Sequence, residues 1–247
     1  MLVTTLYPRE RTQTHLAATN VLALIAAATT DPKVHALLVL WAQAVAQAVV
    51  DARAKHRAKQ GIWRARYDEL RPLDKAAAGA LRFAEAAIEK KLGAEGVALF
   101  HRLLNVARLS DVTGGPLARQ YSLVEDLRLR VEAEPDAHGL PLERLEEVFA
   151  TNAALGAGIA AEQEAKRAWK AAAAALAEAE DNFRDGYRVL VRSLVQLLEE
   201  PGAAAILPTF TRSRGGGAAD VAPSEVATQS ADVDDADEDD ADEDDEG

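Results

Sequence analysis

The chain contains no cysteine, which removes disulfides, thiolate catalysis and cysteine-based zinc sites from consideration. Asn-Gly turns and runs of β-branched residues are also missing, so no substantial sheet is expected. No Gly-Lys-Ser/Thr phosphate loop is present, nor any Gly-x-Ser-x-Gly string or Ser/His/Asp grouping of a hydrolase. Helical bundles hold paired metals through Glu-x-x-His motifs. The residues three before the five histidines are Thr12, Pro32, Arg53, Ala98 and Pro135, so that motif is absent. Aromatic residues make up only 5% of the 247 residues.

Hydrophobic residues reach 49%, much of it alanine. Alanine favours helix because it loses no side-chain entropy there, yet it buries little apolar area. Closely packed helices are the arrangement that suits such a composition. The net charge of −12 is local: residues 232–246 hold 12 acidic and no basic side chains, and removing them leaves 28 acidic residues against 28 Lys and Arg. The body is electrically balanced, so no nucleic-acid partner is expected. The apolar stretch at 21–28 follows charges of mixed sign, unlike a secretory leader. No run is read as a membrane span, and a cytoplasmic location is expected.

Apolar residues recur at three- and four-residue intervals along most of the chain, the signature of one buried helix face. Helices are expected over 12–28, 34–60, 62–70, 73–92, 94–109 and 117–131. Asp31 with Pro32 makes a helix start, whereas Arg71-Pro72, Gly93 and the run Thr113-Gly-Gly-Pro116 punctuate the chain. Residues 142–210 then form a long helical stretch, closed by Pro201-Gly202 and Pro208. A shift of 110 residues lays Leu81 on Val191, Ala84 on Leu194, Ile88 on Leu198 and Phe100 on Phe210. The expected fold is all-α: a helical bundle of two tandem, duplicated units over 9–110 and 117–210. A disordered Gly/Pro/Ser linker and acidic tail follow over 211–247, where low hydrophobicity and dense like charge cannot repay ordering entropy.

The string Gly156-Ala-Gly158-Ile-Ala-Ala161 resembles a dinucleotide fingerprint only in letters. The preceding residues repeat like a helix and not a strand, so a close helix contact is the expected role. The basic run 53–66, with Trp63 and Tyr67 among it, reads as a solvated helix face. Trp41, Trp63 and Trp169 are expected as core or helix–helix anchors. The function expected is a non-enzymatic helical scaffold or protein-interaction module with no cofactor and no metal. The alternative is a chaperone-like or regulatory binder that engages a basic protein partner through the acidic tail. The residues assigned to partner binding are Asp235, Glu238, Asp240, Glu243 and Trp63.

Overall fold

A computed structural model describes residues 3–27, 31–133 and 139–212. They are helical apart from short connections and one pair of three-residue strands, so the chain is all-α. The order is β1 (Val3–Thr5), α1 (Arg11–Ala27), α2 (Pro32–Leu38), a π-helical segment (Val39–Gln43), α3 (Ala44–Leu103), α4 (Ser110–Thr113), α5 (Leu117–Ala133), α6 (Leu142–Ile206) and β2 (Phe210–Arg212). The Asp31 carboxylate accepts from the Lys33 N–H at 2.7 Å, and Pro32 follows at the first helical position. That cap satisfies an otherwise orphaned donor.

Helices α3 and α6 dominate, and they run antiparallel. Gly186 abuts Trp41 and Val45, Trp169 meets Trp63 and His56, and Gly158 abuts Leu70 and Leu73. A hydrophobic core sits at each end of this pair. One joins α1, α2 and the start of α3 to the end of α6, through Val21, Leu38, Val49, Phe183, Tyr187, Leu190 and Leu194. The other joins the end of α3 to α5 and the start of α6, through Leu81, Ile88, Phe100, Leu127, Leu145 and Val148. Each core therefore draws on both of the stretches 9–110 and 117–210.

Several local expectations change. Helix α3 continues through Gly61 and Pro72. An interior proline costs about 3 kcal/mol through its missing N–H and its clash with the previous turn. Pairing with α6 along the same stretch offsets that cost. The real breaks are at Gly93 (φ 66°, ψ −161°) and Glu199 (φ 60°, ψ 171°), a region of backbone space that glycine alone occupies without strain. The helix resumes after each break, so Gly202 lies inside α6, with Pro201 near the new start where its ring fits. Helical geometry after Gly93 ends at Leu103, six residues before the expected 109.

Trp41 is not a core anchor; it is 41% exposed. The π turn carries an extra residue per turn, which rotates Val39, Leu40 and Trp41 outward while Leu38 and Ala42 stay buried. At the termini, β1 and β2 pair antiparallel in the register Thr5↔Phe210 and Val3↔Arg212. Phe210 is thus the start of a strand, buried with Leu6 in the first core, and residues 3–5 are held to it by the strand pair.

Candidate functional site

Between the two cores the molecule narrows to α3 and α6, with the start of α1 still beside Arg53 and Arg57. On α3 only Leu70 is buried between Val49 and Ala77, and on α6 only Leu176 between Leu155 and Glu180. At 1.5 Å per residue this waist is roughly 40 Å long. At its centre the indoles of Trp63 and Trp169 stack with centroids 4.6 Å apart and planes 4° from parallel. The Trp63 Nε1–H donates to Glu162 Oε1 at 2.7 Å, and the Trp169 Nε1–H donates to His56 Nε2 at 2.9 Å. Accepting that bond leaves His56 Nε2 without a proton. Lys166 Nζ lies 5.9 Å from the centre of the Trp63 ring, within cation–π range.

Around this stack the surface is basic. From 53 to 66, α3 carries Arg53, Lys55, Arg57, Lys59, Arg64 and Arg66 with no carboxylate among them. The facing stretch of α6 adds Lys166, Arg167 and Lys170 against Glu162 and Glu164. Arg66 pairs with Glu69 at 2.7 Å. Lys55, Arg57, Lys59, Arg64, Arg167 and Lys170 are exposed and have no ion pair among the described residues.

A second basic feature lies at the end of α6. Arg184, Arg188 and Arg192 recur every four residues, so they share one face of the helix. The lead after β1 crosses that face, and Thr5, Tyr7, Pro8 and Arg9 complete a cleft of about 370 Å³. Arg184 bonds Asp181 Oδ1 at 2.6 Å and Thr14 Oγ1 at 3.2 Å, and Arg188 bonds Asp185 Oδ1 at 2.8 Å. Arg9 and Arg192 have no side-chain ion pair among the described residues.

Beside Arg184, Glu180 is 3% exposed and lies 3.5 Å from Arg11 and 3.7 Å from Arg184. Burial raises its pKa, and the attractions of Arg11, Arg184 and Arg53 only partly oppose that rise. Burial likewise raises the Tyr187 hydroxyl, with Tyr7 adding to the shift. His15 is shifted down by burial and then by Arg53 and Arg57.

Of the residues assigned to partner binding, Asp235, Glu238, Asp240 and Glu243 lie outside the described residues. Trp63 is half-buried, and its indole is engaged by Trp169, Glu162 and Lys166. Gly156 and Gly158 sit within α6, packed against Tyr121 and against Leu70 and Leu73. Among the described residues no three His, Asp or Glu side chains converge as metal ligands. One window within Pro32–Leu103 is long and apolar enough to cross a membrane by length and composition, against the sequence reading; 28% of it is buried. Core helices pass the same test.

The arginine cleft was missed in the sequence. Its one linear signal is the spacing of Arg184, Arg188 and Arg192; Arg9 joins them only through the fold. Compared with known proteins, the chain matches no family profile, no curated protein and no solved structure.

Proposed function

We propose that the chain is a non-enzymatic helical scaffold and interaction module that receives an acidic protein partner along its basic waist. The observation that carries this reading is the group of six exposed cations without ion pairs on a two-helix spacer. Such a belt raises encounter rates with oppositely charged surfaces and makes binding sensitive to salt. The cores at either end hold the belt on a rigid element, since α3 and α6 are continuous through it.

We also infer that the halves are copies, offset by 106 residues from Ala42 onward and also between α1 and α5. That offset relates Trp63 to Trp169, Gly96 to Gly202, and the break at Gly93 to the break at Glu199. It relates buried Leu81, Ala84 and Ile88 to buried Tyr187, Leu190 and Leu194, and α1 to α5, both 17 residues long. A copied unit inherits its buried stripe, which constrains packing more than the exposed residues do.

The test of the module is an affinity capture from source lysate, run with the full chain and with a variant carrying Lys55→Glu, Arg57→Glu, Lys59→Glu and Arg64→Glu. Partners held by the native chain and lost by the variant, at equal helicity, support the waist. The same partners retained by the variant place binding elsewhere, and no specific capture by either form removes the interaction reading.

A further inference from the structure

We propose that the arginine cleft is an oligocarboxylate site whose occupant is the chain's own acidic segment, residues 232–246. Guanidinium groups are planar forks that hold carboxylates through paired N–H···O bonds. Arg184, Arg188 and Arg192 line one wall of the cleft and Arg9 the other. Asp181 and Asp185 take part of that capacity, but Arg9 and Arg192 have no ion pair among the described residues, and Arg188 keeps donors beyond its bond to Asp185.

Spacing adds a second argument. Successive arginines four residues apart on a helix advance about 6 Å. Alternate residues of an extended chain advance about 6.6 Å and point the same way. The acidic segment offers carboxylates in that alternation, at Asp235, Asp237 and Asp239 and again at Asp240, Asp242 and Asp244. One extended repeat laid along α6 would meet the three arginines nearly in step.

Connectivity supplies the third. Thr5 lines the cleft and is the register partner of Phe210; two residues later Arg212 pairs with Val3. The chain therefore leaves the described fold beside the cleft. Residues 213–231 can span up to roughly 60 Å when extended, far more than the return requires. Tethering of this kind gives an effective concentration on the order of millimolar. The waist is also within that reach, but it is a convex, lysine-containing helix surface, whereas the cleft is concave and its cations are all arginine.

The absence of cysteine makes the test direct. A nitroxide attached at Ala241→Cys in the full chain is a unique label, and its broadening of backbone amide signals reports proximity. The expected result is broadening at Tyr7, Arg9, Arg188 and Arg192. It should fall to background in the variant Arg188→Gln/Arg192→Gln, and also in the unsubstituted chain at about 0.5 M salt. Both arginines are exposed, and the salt arm needs no substitution of them. Broadening centred on Lys55, Arg57 and Lys59 overturns the proposal, as does broadening nowhere in the described residues. A mixture of labelled and isotope-enriched unlabelled chains separates the sources of the carboxylates. Equal broadening there means another molecule's tail fills the cleft, which overturns docking within the chain.

Discussion

Removing the Trp63–Trp169 stack tests whether the waist is a structural joint or only a pair of adjacent helices. Trp63→Ala deletes the ring contact, the bond to Glu162 and the cation–π contact with Lys166. The ring pair is worth about 0.5–1.5 kcal/mol beyond its burial, the hydrogen bond to a carboxylate about 1.5–3, and an exposed cation–π contact about 0.5–1. Trp63 is only half-buried, so the sum shrinks, and a loss of about 2–3 kcal/mol is expected. Trp169→Ala should cost about the same. The informative quantity is the coupling in the double variant, because each single change already removes the stack. Urea denaturation followed by far-ultraviolet circular dichroism gives the four stabilities, and the expected coupling is about 1 kcal/mol. A coupling below about 0.3 kcal/mol would mean that the rings touch without stabilising the fold. The slope with denaturant is a second readout. If it falls and the transition splits, the two cores unfold separately and the waist does not link them.

Other changes probe the rest of the molecule. Gly61→Ala meets nothing within 4 Å, so helix propensity alone should stabilise by about 1 kcal/mol, raising Tm by about 2–4 °C; Gly186→Ala would place a methyl 2.8 Å from the Trp41 carbonyl oxygen and should destabilise despite the same propensity gain. Glu199→Gly should stabilise by about 1 kcal/mol in thermal melts, since Glu199 holds a backbone geometry that only glycine adopts without strain. For Glu180 the folded pKa lies above the ordinary 4.5, so its favourable contribution is present below pH 4.5 and is lost as pH rises through the folded value. Glu180→Gln should therefore raise stability at pH 7 relative to pH 4, and a stability difference between variant and native chain that does not change with pH would refute the burial argument. His15 has the opposite sense: its folded pKa lies below 6.5, so stability is present above about pH 6.5 and is lost as pH falls from there through the folded value.

The ends of the shorter helices were legible because local chemistry sets them. Asp31 and Pro32 form a cap that needs no distant partner, and the Gly-Gly-Pro run before α5 stops a helix in any context. A helix end is expected at Arg71-Pro72 because propensity is local, whereas α3 continues through Pro72 with Gly158 of α6 packed against Leu70 and Leu73. Trp41 was misplaced for a different reason. A stripe extrapolated at 3.6 residues per turn loses its face as soon as one turn is π-helical, and nothing in Val39–Gln43 announces that turn. Of the candidate sites, the basic run on α3 was visible as a charge pattern. The arginine cleft was not, because half of its wall arrives only when β1 pairs with β2 and carries residues 5–9 across α6.

The same periodicity lets the proposed repeat be aligned at two offsets one turn apart. A shift of 110 differs from 106 by four residues, and a four-residue slide keeps every apolar position on the same helix face. Leu81 lands on Val191 at one offset and on Tyr187 at the other, and all three are buried. The starts of the long helices, Pro32 and Leu142, favour 110, because the first helix carries four more residues before Ala42. Features that do not repeat every turn favour 106, above all the stacked indoles. An antiparallel pair of equivalent helices has a two-fold axis between them, and a residue beside it faces its own copy. The operation that turns Trp63 into Trp169 must then turn the acceptor of Trp63, Glu162, into the acceptor of Trp169, which is His56. Equivalent surroundings predict that the acceptors can trade places. The double change His56→Glu/Glu162→His should stay within about 0.5 kcal/mol of the native chain, while His56→Leu should cost about 1 kcal/mol by leaving the Trp169 N–H without its partner. Urea titrations of the three proteins decide it. An exchange as costly as the leucine change would mean that the two surroundings differ, and the 106-residue relation would then be a coincidence of two amphipathic helices.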